Sequence, residues 1–391
     1  MGFVFDNPGE LMKLLRSFVL LVLALPALAA SAPDPELGRV EVSVPDRSAG
    51  ARRNALREGL DQVLIRLTGD ADPSQLASLD TVRSGNPARW VSQYSYREVD
   101  AEGQQRSSGD EEKGLQLQAR FDVSGLLERL GELNAPVWDE NRPAVLVWLV
   151  VQEPTSGELL ARDSEHRVRA LLEEAARRRG LPIVLPRMDT EDRSVIQAAD
   201  IRGRFDEPVR EASARYETPL VATAVLYTGD SPRLRWRLLD GGEERTGNTL
   251  TTPRLEEGLR DWVNRVTDYL VELYAVRGAR EREIDIRVQH LTELRDWNQL
   301  QTFLGGLAGM RSIQLRHLQG DTAEFRARFA GPATKLERLG KLQPGLESCE
   351  DDRALAAVSA RPGDAGESMN EEADPAPEQM SSTLEFCWDR S

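Results

Sequence analysis

Histidine and cysteine are scarce in this sequence, which has three and two of them among 391 residues. Metal centres and nucleophile–histidine pairs depend on these side chains, so their scarcity leaves few such sites open. His166, His290 and His317 are scattered among arginines, and we interpret them as solvated or half-buried side chains; a metal or triad role is the alternative. No cysteine pair has metal-ligand spacing. The sequence therefore predicts no metal site and no cofactor.

The common catalytic motifs are also absent. The sequence has no glycine-rich phosphate loop followed by lysine and serine or threonine, no G-x-S-x-G turn and no H-E-x-x-H pair. These motifs mark P-loop nucleotide hydrolases, α/β-hydrolases and zinc proteases. We therefore expect a non-catalytic protein, and an enzyme of another kind is the alternative.

The apolar run near the start, residues 18–25, is too short for a membrane-spanning helix of about 20 residues. Lys13 and Arg16 precede it, Pro26 ends it, and small residues follow, which is typical of a secretory signal peptide over residues 1–29. Met12 is the predicted start, because it gives a positively charged segment before the run. No cysteine follows the run, so we expect a soluble periplasmic protein that is not a lipoprotein and has no transmembrane segment after cleavage.

Basic charge is not concentrated anywhere in the sequence. The net charge is -15, and residues 345–391 alone contain 12 acidic and three basic side chains. The rest of the chain mixes both signs, which excludes a basic surface for nucleic acid. Residues 343–391 are poor in periodic apolar residues, and we predict an acidic, largely disordered tail there.

Both cysteines, Cys349 and Cys387, lie in this tail. In an oxidising compartment two cysteines outside the core favour a disulfide over a metal site. Such a bridge would bring the apolar Leu384, Phe386 and Trp388 back toward the folded body. Two free thiols in an unstructured tail are the alternative.

Two short modules have the same predicted order of elements, β-α-β-β-α. They cover residues 38–134 and 282–342, and each has an alternating first strand and a helix with apolar residues three and four apart. They also have identical short sequences near their ends. The first module has ARF at 119–121 and LERLG at 127–131, and the second has ARF at 327–329 and LERLG at 336–340. This is either an internal repeat or a chance match in a chain rich in Leu, Arg and Glu.

A third unit, residues 142–277, lies between these modules. An apolar strand at 144–151, a helix at 164–179 and a strand at 181–185 have the spacing of a βαβ unit, which predicts parallel strands. The predicted fold class is α/β plus α+β. It consists of a central mixed, largely parallel sheet with helices on both faces, flanked by the two small modules.

The best candidate ligand site follows the predicted strand 181–185, because open parallel sheets bind ligands beyond the carboxyl ends of their strands. Carboxylates and guanidiniums in one crevice could bind a polar ligand or transfer protons. A charged turn, in which Asp189 caps a helix and the charges pair with one another, is the alternative. The candidate residues are Arg187, Asp189, Glu191, Asp192, Asp200, Arg202 and Arg204.

Five tryptophans lie among apolar neighbours on predicted strands or helices. This setting favours core packing over a platform for stacking sugars. They are Trp90, Trp148, Trp236, Trp262 and Trp297.

Three separate motifs, in order, resemble the exported proteobacterial family called domain of unknown function 2066. Glu217 and Thr218 depart from the resemblance, which predicts a glycine after Tyr216. The resemblance covers about residues 40–342 and implies an envelope protein, but it brings no catalytic residues. The middle unit is also similar in pattern to the α/β domains of envelope assembly factors such as TolB and CsgG. The motifs are RNAL (53–56) with VLIRLTG (63–69), RGLPIVLP (179–186) with DTED (189–192), and ADIRGRF (199–205) with ASARY (212–216).

These observations together predict a periplasmic binding or assembly accessory, with one or more envelope proteins as partners. A carboxylate-dependent envelope hydrolase or transferase acting near Asp189 and Asp192 is the first alternative. A small-ligand-binding protein is the second, and it requires a deep apolar pocket.

Overall fold

The computed structural model describes residues 37–99, 114–229, 231–277, 281–349 and 383–389. The predicted signal peptide and most of the predicted tail lie outside these residues. In the described part of the chain, no helix is both long and apolar enough to cross a bilayer. The mixed α/β class is confirmed, with several sheets that combine parallel and antiparallel strands.

The N-terminal module is a three-stranded antiparallel sheet in the order β1-β3-β2. The first helix begins because the Ser48 hydroxyl accepts the N–H of Ala51 at 3.1 Å, and it ends at Gly69, which has a φ of 70°. The elements are β1 (Arg39–Val44), α1 (Ala49–Thr68), α2 (Asp80–Arg83), β2 (Val91–Val99), β3 (Gly114–Phe121), α3 (Val123–Glu132) and a short β4 (Pro136–Val137).

The central unit contains a six-stranded sheet with a main order of β10-β9-β8-β5-β6, and β7 pairs with β5. A short strand that follows it, β11, pairs with β4. The strands are β5 (Val145–Gln152), β6 (Gly157–Leu159), β7 (Ile183–Val184), β8 (Leu220–Tyr227), β9 (Arg233–Asp240), β10 (Glu243–Thr251) and β11 (Val276–Arg277). The helices are α4 (Arg167–Arg179), α5 (Thr190–Val195), α6 (Ala198–Gly203), α7 (Asp206–Ala214) and α8 (Leu255–Tyr274).

The prediction of a largely parallel central sheet is wrong. Only β5 with β8 and β5 with β7 run parallel, whereas three pairs are antiparallel. The physical reason is the length of the connections, since β5 to β6 and β9 to β10 are joined by short turns that reverse the chain. The βαβ prediction itself agrees with the parallel pairing of β5 and β7.

Both faces of the central sheet are covered, which explains why β5 is apolar at nearly every position. On one face Leu149 belongs to a buried cluster that includes Leu172 of α4 and Trp262 of α8. On the other face Trp148 belongs to a cluster that includes Val209 of α7. Trp148, Trp236 and Trp262 are buried, in agreement with their predicted place in the core.

The C-terminal module is a five-stranded sheet in the order β13-β14-β12-β16-β15. All its pairs are antiparallel except β12 with β16. The elements are β12 (Arg282–Gln289), α9 (Leu294–Gly306), β13 (Met310–Gln319), β14 (Thr322–Phe329), α10 (Ala333–Gly340), β15 (Leu346–Ser348) and β16 (Thr383–Trp388).

The C-terminal segment corrects the predicted boundary of this module at residue 342. Strands β15 and β16 come from the segment predicted to be a largely disordered tail, and they complete the sheet. Phe386 and Trp388 are buried there because alternate residues of β16 face the core. The disulfide between Cys349 and Cys387 joins the end of β15 to β16, as predicted.

The two small modules have the same strand order, and their strands pair in the same register up to a second bulge in β13, between Leu315 and His317. In each, the third strand lies between the first and the second. Val40 lies opposite Ala119 in the first module, and Ile284 lies opposite Ala327 in the second. The second strand has a bulge at the same place in both, opposite the end of the third strand at Phe121 or Phe329. This agreement supports an internal repeat over a chance match.

Candidate functional site

The predicted site begins where the chain leaves β7. Asp189 is the N-cap of α5 and accepts the N–H of Asp192 at 3.1 Å, because a side-chain oxygen can satisfy a free N–H of the first turn. The charged-turn interpretation predicted this cap. It places Asp189, Glu191 and Asp192 within a single helical turn.

Asp192 is the buried centre of the site, with 1% of its surface exposed. Its Oδ2 accepts the N–H of Met188 at 2.7 Å and the hydroxyl of Tyr216 at 2.6 Å. Its Oδ1 accepts Nη1 of Arg215 at 3.1 Å. A buried carboxylate needs such donors to offset its desolvation, so these contacts stabilise it where it lies.

Arg215 holds the carboxylates of the turn together. It forms two hydrogen bonds with Asp189, at 2.8 and 3.1 Å, and an ion pair with Glu191 at 3.4 Å. The hydrogen bond from Arg215, followed by that from the N–H of Asp192, lowers the pKa of Asp189 to about 2. The same pairing raises the pKa of Arg215. Asp189 is therefore an anion at neutral pH, which suits an ion pair better than a proton donor.

Tyr216 connects this turn to the central sheet. Its hydroxyl accepts the N–H of Arg187 at 2.8 Å and donates to Asp192. Its ring packs edge-on against Trp148 of β5, with 6.0 Å between centroids. Burial, and then the hydrogen bond to Asp192, raise the pKa of Tyr216 to about 12, so the phenol stays neutral.

The structure does not gather all seven predicted residues into one crevice. Four of them lie in the charged turn that Tyr216 contacts, namely Arg187, Asp189, Glu191 and Asp192. Asp200 caps α6 by accepting the N–H of Gln197 at 2.7 Å. The other two residues bind elsewhere, since Arg202 donates to Gln152 at 2.8 Å and Arg204 pairs with Glu244 at 2.5 Å.

Arg204 belongs to a second polar cluster, on the outer part of the sheet. Arg237 of β9 is buried there, and its Nε donates to the Thr223 hydroxyl at 3.1 Å. Its guanidinium also pairs with Asp206 and lies 3.7 Å from Glu244. These charges neutralise one another across neighbouring elements, as expected of a structural cluster.

Sequence reasoning missed Arg215 and Tyr216 as site residues. They lie on the turn that follows α7, more than 20 residues from Asp189 and Asp192, and only the fold brings the two segments together. The signal that could have found them is the ASARY motif at 212–216. Glu217 has a φ of 51°, a left-handed conformation that favours the glycine predicted there.

Little in this arrangement is suited to metal or histidine chemistry. Among the described residues, no group of three or more His, Cys, Asp and Glu side chains is placed to hold a metal ion. His166 caps α4 by accepting the N–H of Val168 on Nδ1 at 3.1 Å.

The structure defines a mixed α/β protein whose best-formed polar site is a closed network of ion pairs and hydrogen bonds. Residues 34–139 match the family model described as Domain of unknown function (DUF8605). This match spans β1 to β4 and about a quarter of the chain. The match agrees with the expectation of an uncharacterised domain family, but its name and number differ from domain of unknown function 2066. No curated protein matches the chain.

Proposed function

We propose that the chain is a non-catalytic, soluble periplasmic protein that acts as a binding or assembly accessory to other components of the cell envelope. The observation that carries this proposal is the repeated module, because two copies of one sheet provide two similar binding surfaces. The Cys349–Cys387 disulfide supports an exported location, since such bonds persist in oxidising compartments.

Each copy has an edge strand that a partner segment can extend. Among the described strands, β2 and β13 each pair on one side only. Leu315 and Leu318 of β13 are about half exposed, at 47% and 50%, and Tyr94 of β2 is 47% exposed. Exposed edges with apolar side chains are a common mode of peptide recognition.

The charged turn supports the non-catalytic part of the proposal. A hydrolase or transferase acting through Asp189 and Asp192 needs a carboxylate that can exchange a proton with a substrate. Asp192 is buried with three donors, and Asp189 is paired with Arg215. This arrangement favours the accessory role over the enzyme.

Site-specific photocrosslinking in cells tests the proposal. A photoreactive amino acid replaces Leu315 on β13 or Tyr94 on β2, and Glu211, an exposed residue of α7, is the control position. We expect one envelope protein to be captured from an edge position and not from Glu211, and osmotic shock to release the chain with its disulfide intact. Failure to capture any protein from either edge would contradict the accessory role, and recovery in the cytoplasm would contradict the location.

A further inference from the structure

A cavity of about 190 Å³ lies where the first module meets the start of β13. Its wall is mostly apolar and includes Leu127 and Gly131 of α3, Val137 of β4 and Val276 of β11. Its charged residues are Arg311, Asp139 and Glu140. The charged turn contributes no residue to this wall, and of the two edge strands only β13 does, through Arg311.

The second module provides a helix segment of the same sequence for comparison, although α3 buries Leu126 and Leu130 whereas α10 buries Leu336, Leu339 and Gly340. Leu127 and Gly131 occupy the first and last positions of LERLG in α3, and Leu336 and Gly340 occupy them in α10. In α10 both residues are buried, whereas in α3 both are half-buried and line the cavity. The two copies therefore differ in what covers this face.

An aromatic ring covers the face in the second module. A Cβ atom added to Gly340 would lie 2.8 Å from the ring of Phe386, so the glycine is needed for the close approach of the ring. Phe386 is presented by β16, an extended segment from a distant part of the chain. A Cβ atom added to Gly131 would meet only Nη1 of Arg311, at 3.7 Å.

The size of the cavity suits a single ring. Apolar cavities of about 150 Å³ bind benzene, whereas sites for drug-sized ligands start at about 300 Å³. The guanidinium of Arg311 lies beside Gly131 and forms an ion pair with Glu281 at 3.8 Å, and its face can still attract the face of an aromatic ring. An aromatic side chain matches both the size of the cavity and the guanidinium at its wall.

We propose that this cavity receives one aromatic side chain of a partner polypeptide, presented from an extended segment as Phe386 is presented by β16. The proposal rests on the accessory role proposed above and specifies the chemistry of the partner. It predicts a phenylalanine, tyrosine or tryptophan at the point of contact.

A peptide with the sequence of residues 383–388, carrying Cys387→Ser, is the probe, and isothermal titration of the full mature chain is the measurement. We expect Gly131→Leu, which fills the cavity, to weaken binding of this peptide at least about tenfold, or about 1.4 kcal/mol. Gly50→Leu is the matched control, because Gly50 is an exposed helical glycine outside the cavity wall. It should bind the peptide like the wild type. Urea unfolding of both variants checks that they fold.

A second peptide, which also carries Phe386→Ala and Trp388→Ala and so has no aromatic ring, tests the ring itself and should bind at least about tenfold more weakly. Equal binding of the two peptides, equal binding by Gly131→Leu, or no binding to the wild type would overturn the proposal. Indole is the small-molecule probe. Binding of indole without binding of the peptide, lost in Gly131→Leu, would also overturn it and assign the cavity to a small ligand.

Photocrosslinking from Leu315 in the Gly131→Leu background separates this proposal from the accessory role. Loss of the captured partner supports the cavity as its contact. Undiminished capture overturns the cavity proposal and leaves the accessory role intact. If the wild-type chain binds the peptide but captures no partner in cells, this result contradicts the accessory role and not the cavity proposal.

Discussion

The hydroxyl of Tyr216 donates to Oδ2 of Asp192 at 2.6 Å and accepts the N–H of Arg187 at 2.8 Å. One phenol thus connects a buried carboxylate, the backbone that leaves β7 and the aromatic face of Trp148. The charged turn is a structural joint between α5 and the end of α7.

Removing the buried carboxylate should destabilise the protein strongly. We expect Asp192→Ala to lower the free energy of unfolding by about 3 kcal/mol, because it leaves the buried N–H of Met188 without its acceptor and removes one of the carboxylates that pair with Arg215. Tyr216→Phe should cost about 1 to 2 kcal/mol, since it removes the two hydrogen bonds of the hydroxyl. Urea unfolding measures both. Glu191→Ala, whose side chain is 66% exposed, is the control and should change stability by less than about 0.5 kcal/mol.

Acid should weaken the pair between Asp189 and Arg215. The pKa of Asp189 falls from 3.8 to about 2 on folding, so the stability that it contributes is present above pH 3.8 and is lost as the pH falls toward 2. Asp189→Asn keeps a good helix cap but removes the charge. Thermal unfolding from pH 6 to pH 2 should show a shallower loss of stability in this variant, and parallel curves would contradict the prediction.

Reduction of the disulfide should weaken the C-terminal module. The bridge spans 38 residues, and a loop of this length constrains the unfolded chain by roughly 4 kcal/mol. We expect the Cys349→Ser, Cys387→Ser double variant to unfold at lower urea concentration than the oxidised protein. Reductant should shift the unfolding midpoint of the wild type but not that of the variant.

The two LERLG glycines should respond differently to alanine. Gly340→Ala places a methyl group 2.8 Å from the ring of Phe386, so we expect a loss of about 1 to 3 kcal/mol. Gly131→Ala meets no such ring and gains helix propensity, so we expect a change between zero and about 1 kcal/mol in its favour. Urea unfolding of the pair compares them directly, and equal effects would contradict the different environments of the two helices.

A glycine should be favourable after Tyr216. Glu217 has a φ of 51°, which costs an ordinary residue about 1 kcal/mol. We expect Glu217→Gly to stabilise the protein by up to about 1 kcal/mol and Glu217→Ala to give no such gain. Thermal unfolding of the two variants checks the difference, and equal midpoints would show that the backbone is not strained there.

Local sequence patterns predicted where helices and strands form better than they predicted which strands pair with one another. The alternation of β1 and the apolar run of β5 depend on nearby residues, and each is readable from the sequence. The strand order of the central sheet depends on how connections fold back, so the largely parallel arrangement was not correct. The β15–β16 pair was missed because its two strands are separated by more than 30 residues of polar sequence.

In the candidate site, too, features set by nearby residues were predicted and contacts between distant residues were not. Asp189 as a helix cap follows from its position before a short helix, and the structure has this cap. Arg215 and Tyr216 could not be assigned to the site, because their distance in sequence hides their contact with Asp192. Arg202 and Arg204 were grouped with the site by sequence distance, although α6 directs them toward other partners.

Strand β16 pairs with β12 across 98 residues of sequence, between Asp285 and Thr383. Contacts of such long separation form late, because the entropy of closing the loop opposes them. The core of the C-terminal module is therefore completed late, when β16 arrives, and the edge of β12 that β16 covers stays unpaired until then. Chaperones and proteases would meet the chain in this interval.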